Sequence, residues 1–214
     1  MRFLAAFFAI QEGNEMVLTG SSRMKERPIK ILVDALNQLG AEICYEENDG
    51  FPPIRIKGKK LTQNKVSLSA NVSSQYISAL LLIAPKIENG LELTLKGEIT
   101  SIPYIKMTLA LLNDLNIQTS FEGNVITVAP KPAVDTKEMT VESDWSSASY
   151  YFSIAALADA ASITISSYKE NSLQGDSDLV NLYKAMGVKS QFNGNQLTLT
   201  KQANFNYQDV TFDL

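Results

Sequence analysis

The feature that most constrains the fold is an internal repeat with a period of about 70 residues. Ser73-Ser74 and Ser146-Ser147 stand 73 positions apart, and Gly123-Asn124 and Gly194-Asn195 stand 71 apart. Between these landmarks, strand-like alternation and helix-like apolar spacing follow each other in the same order. A period of this length is too long for a short-repeat solenoid and indicates tandem compact α/β units.

The middle copy shows the order of elements most clearly. It predicts strands and helices in the order βαβαββ, at 64–70, 74–84, 91–96, 102–115, 117–121 and 125–128. The last copy repeats this order at 139–142, 147–158, 162–167, 178–186, 189–192 and 196–200. The first copy lacks the opening strand and continues at 2–10, 16–19, 29–39, 41–45 and 54–57. A polar connector with two prolines, 129–133, separates two copies from one.

Composition excludes several classes of protein. The chain has no histidine, which removes Ser-His-Asp triads, Cys-His pairs and histidine-ligated zinc. Its net charge of −4 argues against bulk attraction to nucleic acid, and its single cysteine, Cys44, allows no internal disulfide. No apolar run reaches the ~20 residues that span a bilayer. The apolar start of the chain is predicted as a buried helix, with a short signal segment as the alternative.

Three predicted helix starts carry side chains that can bind anions. Arg23 to Pro28 is the densest cationic stretch, and Pro28 is expected in the first turn of the helix that follows. Ser73, Ser74 and Gln75 open the first helix of the middle copy, and Ser101 and Tyr104 open the second. Helix N-termini attract phosphate and carboxylate groups. Ordinary capping and a solvated cationic turn explain the same residues without any ligand.

Two further helix starts carry carboxylates. Glu142 and Asp144 precede the helix that begins near Ser147, and Gln174-Gly175-Asp176 precedes the last helix. A carboxylate at this position is an ordinary N-cap, and at Asp144 it is also a candidate hinge contact between domains.

These segments together resemble the 5-enolpyruvylshikimate-3-phosphate synthase family. The most specific match is Leu18-Thr19-Gly20 followed by the run from Arg23 to Pro28. The other motifs follow in the family's order: Ser73-Ser74-Gln75, Lys96-Gly97-Glu98, Ser101-x-Pro103-Tyr104, Val141-Glu142-x-Asp144 through Tyr150, and Gln174-Gly175-Asp176. The related enolpyruvyl transferase of cell-wall synthesis shares the fold but does not carry the run from Arg23 to Pro28.

The resemblance implies a fold class, α/β (α+β), with three βαβαββ units in each of two domains. Residues 1–140 would be two units of the N-terminal, shikimate 3-phosphate-binding domain, and 141–214 one unit of the C-terminal domain. The family transfers the enolpyruvyl group of phosphoenolpyruvate to the 5-hydroxyl of shikimate 3-phosphate and releases phosphate. It does so in the cytoplasm, without a metal or an organic cofactor, and without nucleic acid or membrane as partners.

The resemblance also implies roles for individual residues. Those assigned to shikimate 3-phosphate are Ser73, Ser74, Gln75, Ser101 and Tyr104. Arg23, with Gln75, is assigned to phosphoenolpyruvate, and Asp144 to the hinge.

The chain also departs from the family pattern. Ile102 stands where many relatives have a basic residue, and Ser143 and Trp145 replace small residues beside Asp144. No catalytic residue is assigned within the chain, because the family's general base is expected downstream of Leu214. We therefore expect an internal fragment that is inactive alone and self-associates through faces exposed by truncation. The alternatives are a non-catalytic anion-binding module of the same fold and a complete small enzyme of unknown chemistry.

Overall fold

The computed structural model describes residues 1–100 and 102–205, which divide into two compact units, one up to Lys137 and one from Glu138 onward. The first unit begins with the predicted incomplete copy. Its elements are α1 (Arg2–Ala9), β1 (Glu15–Leu18), the short α2 (Ser22–Lys25), α3 (Lys30–Gln38), β2 (Glu42–Tyr45) and β3 (Ile54–Lys57). The sequence predicts all of these except α2, which occupies part of the cationic stretch.

The middle copy completes the first unit. Its elements are β4 (Lys65–Ser69), α4 (Ser74–Ile83) with a 3₁₀ turn at Ala84–Lys86, β5 (Leu91–Lys96), α5 (Ile102–Asp114), β6 (Thr119–Glu122) and β7 (Val125–Val128). Pro85 lies in the 3₁₀ turn, where it ends α4 as predicted. The second unit contains α6 (Trp145–Leu157), β8 (Ser162–Ser166), a 3₁₀ turn (Gly175–Asp178), α7 (Leu179–Lys184), β9 (Val188–Asn193) and β10 (Gln196–Lys201).

The three sheets share one strand order. In the middle copy the order is β4-β5-β7-β6, with β4 parallel to β5 and the other pairs antiparallel. The first copy has β1-β3-β2 and the last has β8-β10-β9, which is the same order without the opening strand. This mixed α/β topology is consistent with the repeat read from the sequence. The assignment of the units to the family's two domains stays a prediction.

The predicted strand at 139–142 is absent, and its surroundings explain why. In β4, Val66 and Leu68 are buried in the core and the whole strand pairs with β5. Met139 and Val141 are instead exposed, Val141 by 88%, so the segment buries no apolar side chain. One backbone hydrogen bond of the β4–β5 pairing has an equivalent in the second unit. The Ser143 N–H donates to the Ser167 carbonyl, just as the Ala70 N–H donates to the Lys96 carbonyl after β4. Alternation alone does not make a strand without a buried face.

The core of the first unit forms where α1 packs against α4, and α1 also contacts β3. Ala5, Ala6 and Ala9 of α1 are fully buried, and so are Ile77 and Leu80 of α4. α5 packs on α4 and is joined to it by a buried hydrogen bond of 3.0 Å between the Ser78 and Thr108 hydroxyls. In the part of the chain that is described, no helix has both the length and the apolar character needed to cross a membrane.

Gly90 offers a test of the packing between β5 and β7. Its φ is +69°, and a Cβ at this position would lie 2.2 Å from the carbonyl oxygen of Val128. Gly90→Ala should lower the free energy of unfolding by about 3 kcal/mol, about 1 from the left-handed backbone and about 2 from the displaced strand.

The matched control is Gly123→Ala, because Gly123 has a φ of +56° but open space around it. It should cost only the ~1 kcal/mol of the backbone term. Urea denaturation of both variants measures the difference, and equal losses would contradict the predicted clash.

Candidate anion-binding site

The candidate site lies at the start of α4, directly after β4. Ser73 occupies the N-cap position, but its hydroxyl accepts no hydrogen bond from the backbone of the helix. The capping interpretation of this serine is therefore wrong, and its side chain is directed to another partner. Ser73 and Ser74 are partly buried, and Gln75 is exposed.

That partner is Arg2, at the start of α1. Its Nη1 donates to the Ser73 Oγ at 3.1 Å and to the Gln75 Oε1 at 2.8 Å. The guanidinium carbon lies 4.8 Å from the centroid of the Tyr76 ring, which is a cation–π distance. The Arg2 side chain thus spans the N-terminal turn of α4.

The cationic stretch forms the opposite wall. The Tyr76 hydroxyl donates to the Pro28 carbonyl at 2.7 Å, which joins this stretch to α4. The prediction that Pro28 lies in the first turn of a helix is wrong, because α3 begins two residues later, at Lys30. Pro28 lies instead in the irregular segment between α2 and α3.

A cleft of about 240 Å³ opens between these walls. It is lined by Met1, Arg2, Phe3, Met24, Arg27, Pro28, Ile29 and Gln75. Both charged lining residues are cationic. The first backbone N–H groups of a helix have no partner within the helix and carry the positive end of its dipole. An arginine beside such a terminus is suited to hold phosphate or carboxylate by charge-assisted hydrogen bonds.

The predicted site residues are only partly brought together. Ser73 and Gln75 share Arg2, but only Gln75 lines the cleft, and Ser73, Ser74 and Arg23 do not. Tyr104 is 48% exposed on the first turn of α5, and it is not among the described residues that line the cleft. Ser101 lies outside the described residues.

Sequence reasoning missed Arg2, Arg27 and Tyr76 as site residues. Arg27 belongs to the cationic stretch, but only the tertiary structure shows that it lines the same cleft as Gln75. Arg2 had no local signal, because its partners lie more than 70 positions away. For Tyr76 the sequence signal is its position, directly after Ser73-Ser74-Gln75 at a predicted helix start.

The carboxylate motifs meet in the second unit. Glu142 accepts hydrogen bonds from the Trp145 indole at 2.8 Å, the Lys169 N–H at 3.0 Å and the Ser172 hydroxyl at 2.9 Å. Gln174 links the two motifs by accepting from the Trp145 N–H at 3.0 Å and donating to the Ser143 carbonyl at 2.8 Å. Partial burial acts to raise the pKa of the Glu142 carboxyl, but these donors together outweigh it and hold the pKa below its ordinary value.

Asp144 is an N-cap in the structure. Its carboxylate accepts from the Ser146 N–H and from the Ser147 hydroxyl, both at 3.0 Å. The Ser146 hydroxyl donates to Asp176, so the second motif also contributes a carboxylate to this terminus. The hinge role of Asp144 stays a prediction.

The fold defines a class of protein in which mixed α/β units with one common strand order are repeated along the chain. The profile of the family described as EPSP synthase (3-phosphoshikimate 1-carboxyvinyltransferase) matches residues 1–212. The chain therefore belongs to the EPSP synthase family.

Individual relatives agree with this assignment. A 3-phosphoshikimate 1-carboxyvinyltransferase of Bacteroides fragilis (strain YCH46) is 46% identical over 202 residues, covering 94% of this chain and 49% of that protein. The enzyme of the same name from Actinobacillus pleuropneumoniae serotype 5b is 39% identical over 88% of this chain and 44% of its own length. The chain spans about half the length of the curated relatives it matches.

A solved structure supports the fold. EPSP synthase from Acinetobacter baumannii matches with a TM-score of 0.70 and 22% identity, covering 95% of this chain and 46% of that one. The predicted family and the mixed α/β fold class are thereby confirmed.

The Glu142 network predicts a pH dependence in the second unit. A carboxyl whose pKa is lower in the folded than in the unfolded state stabilises the fold above its ordinary pKa of 4.5, and this stabilisation is lost as the pH falls through the lowered value. Trp145 is the one tryptophan of the chain and is fully buried in this unit, so its fluorescence reports local unfolding.

Urea midpoints should therefore fall between about pH 5 and pH 3 in the unchanged chain. Glu142→Gln should lower the midpoint at pH 7 and flatten this decline. A Glu142→Gln variant with the same pH slope as the unchanged chain would show that other carboxyls carry the dependence.

Proposed function

We propose that this chain forms the shikimate 3-phosphate-binding part of a 3-phosphoshikimate 1-carboxyvinyltransferase. The complete reaction transfers the enolpyruvyl group of phosphoenolpyruvate to the 5-hydroxyl of shikimate 3-phosphate, through addition and then elimination of phosphate. The proposal rests on one observation: the Arg2 guanidinium donates hydrogen bonds to Ser73 and Gln75 at the start of α4. Membership of the family and the names of the relatives support it.

The proposed roles of Gln75 and Arg27 rest on their place in the lining of the cleft, and those of the other residues rest on the resemblance to the family. Ser73 and Ser74 bind the phosphate of shikimate 3-phosphate with help from Ser101, and Tyr104 lies against its ring. Gln75 contacts both substrates. The cationic stretch supplies the contact to phosphoenolpyruvate, and since Arg27 lines the cleft while Arg23 does not, the geometry favours Arg27 over Arg23 for this role. A guanidinium fits a carboxylate or phosphate through two parallel hydrogen bonds.

A non-catalytic anion-binding module is the second candidate. The lining of the cleft consists of cationic, amide and apolar side chains, and none of them is a carboxyl, lysine or thiol suited to proton transfer at neutral pH. The residues present can position substrates. In the transferase proposal, the proton transfers belong to groups outside the described residues.

We further propose that the chain acts in the cytoplasm and that it self-associates when alone. The support for self-association is the set of exposed apolar side chains on α6, which are Tyr150, Tyr151, Ile154 and Leu157. Exposed apolar patches of this kind mark interaction surfaces. Sedimentation at increasing concentration tests this, and a monomer at every concentration would contradict it.

Ser73→Ala combined with Ser74→Ala should weaken shikimate 3-phosphate binding at least about 100-fold, because each hydroxyl donates to a charged group. Calorimetric titration at low salt measures the loss. The matched control is Ser146→Ala with Ser147→Ala, the same pair at the start of α6, which should leave the affinity unchanged. Equal affinity of the Ser73/Ser74 variant and the unchanged chain would contradict the site.

The two arginines of the cationic stretch can be separated by substitution. Arg27→Ala should weaken binding of phosphoenolpyruvate about 10-fold or more, because it removes a charge-assisted hydrogen bond. Both arginines are exposed, but Arg23→Ala should change the affinity less than about twofold, because Arg23 does not line the cleft. The reverse ranking would assign the role to Arg23.

A further inference from the structure

One side chain contacts all the parts that build the cleft. Tyr76 is only 5% exposed, in the first turn of α4. The Arg2 guanidinium of α1 lies against its ring face, and its hydroxyl is bonded to the carbonyl of Pro28. Three segments that are distant in sequence therefore meet at a side chain that does not itself line the cleft.

The hydroxyl bond ties residues 21–28 to α4, and the ion pair of Lys25 with Glu47 at 2.9 Å ties the same segment to the loop after β2. Residues 21–28 contain only the short α2, and their internal bonds are turn contacts such as the Arg27 N–H to the Met24 carbonyl at 3.3 Å. Among the described residues, the Tyr76–Pro28 bond is the single hydrogen bond between this segment and α4. The carbonyl that it fixes belongs to the residue next to Arg27.

The ring restricts the other arginine. Arg2 is hydrogen-bonded to neutral oxygens of Ser73 and Gln75, which do not cancel its charge. The aromatic face beneath it limits the positions that this long side chain can take, at a distance of 4.8 Å. A fixed guanidinium loses less conformational entropy when a ligand binds.

We propose that Tyr76 is a positioning residue of the anion cleft, which sets the distance between the Arg27 segment and the start of α4 and holds Arg2 over that start. The inference rests on the proposed function, because it assigns to Tyr76 an effect on anion affinity. It predicts that the hydroxyl and the ring act separately, the hydroxyl through Arg27 and the ring through Arg2.

Tyr76→Phe tests the hydroxyl, because it keeps the ring and removes only the bond to Pro28. Amide hydrogen exchange without ligand should become faster at Met24, Lys25 and Arg27, while the amides of α4 stay protected. Calorimetric titration with phosphoenolpyruvate, the anion assigned to Arg27, and with inorganic phosphate should show affinity about fivefold weaker, the value of one hydrogen bond.

The matched control is Tyr168→Phe in the second unit. Tyr168 is also 5% exposed, and its hydroxyl also donates to a backbone carbonyl, that of Asp144, at 3.2 Å. This variant should lose a similar amount of stability without changing exchange in 21–28 or affinity for either anion. It therefore separates positioning from a general loss of stability.

A double-mutant cycle with Arg27→Ala decides the route. If the hydroxyl acts through Arg27, the double variant should bind less than about twofold more weakly than Arg27→Ala alone. A full fivefold effect in that background would overturn the proposed route. Unchanged exchange in 21–28 in Tyr76→Phe would overturn the positioning role itself.

The two proposals fail in different ways. If the unchanged chain binds neither anion, the proposed function fails for this chain, and the exchange measurement still decides whether Tyr76 positions the segment. If the unchanged chain binds and Tyr76→Phe binds equally well, the function stands and the inference about Tyr76 is overturned.

Discussion

The packing of α1 against α4 is the contact on which the first unit depends. Ala5, Ala6 and Ala9 are fully buried on α1, and side chains of this size let the two helices approach closely. The approach merges the apolar faces of two sheets into one core and sets the starts of the two helices side by side. Arg2 can bond to Ser73 only because of this alignment, since 71 positions of chain separate them. The cleft is thus a consequence of how the core packs.

The charges of this unit divide into paired and unpaired ones. Lys25 is bonded to Glu47 at 2.9 Å, and Arg55 is bonded to both Glu15 and Glu46, so these cations are largely neutralised by their neighbours. In the part of the chain that is described, Arg2 has no carboxylate partner and uses its donors on neutral oxygens. A guanidinium that is held in place without being neutralised retains its attraction for an anion, and Arg27 adds a second charge on the opposite wall.

The repeat predicted the fold well because each element has local signals. Alternation, apolar helical spacing and Gly-Asn turns identified nearly every element of the three copies, and Pro85 fixed the end of α4. The segment 139–142 alternates like a strand, but it has no buried face and does not pair with a neighbouring strand. Burial and pairing depend on the tertiary structure and cannot be read from alternation. The short α2 and the bend at Pro28 were missed for the same reason. The site was predicted where its residues are close in sequence, at Ser73 to Gln75, and missed where they are distant, at Arg2.

The two serine pairs show why the repeat alone does not locate the site. Ser73 and Ser74 are the N-cap and first residue of α4, whereas Ser146 and Ser147 are the second and third residues of α6, and the charged neighbours of the two pairs have opposite sign. At α4 the neighbour is the Arg2 guanidinium, and the N-cap hydroxyl is left free of capping bonds. At α6 the carboxylates of Asp144 and Asp176 accept from the two serine hydroxyls and from the Ser146 N–H, so the positive helix end is already compensated. A guanidinium beside the first terminus favours an anionic ligand there, and the carboxylates beside the second disfavour one. The same pair of serines therefore meets opposite charges in the two copies, and the difference lies in which charged side chain the tertiary structure brings to it.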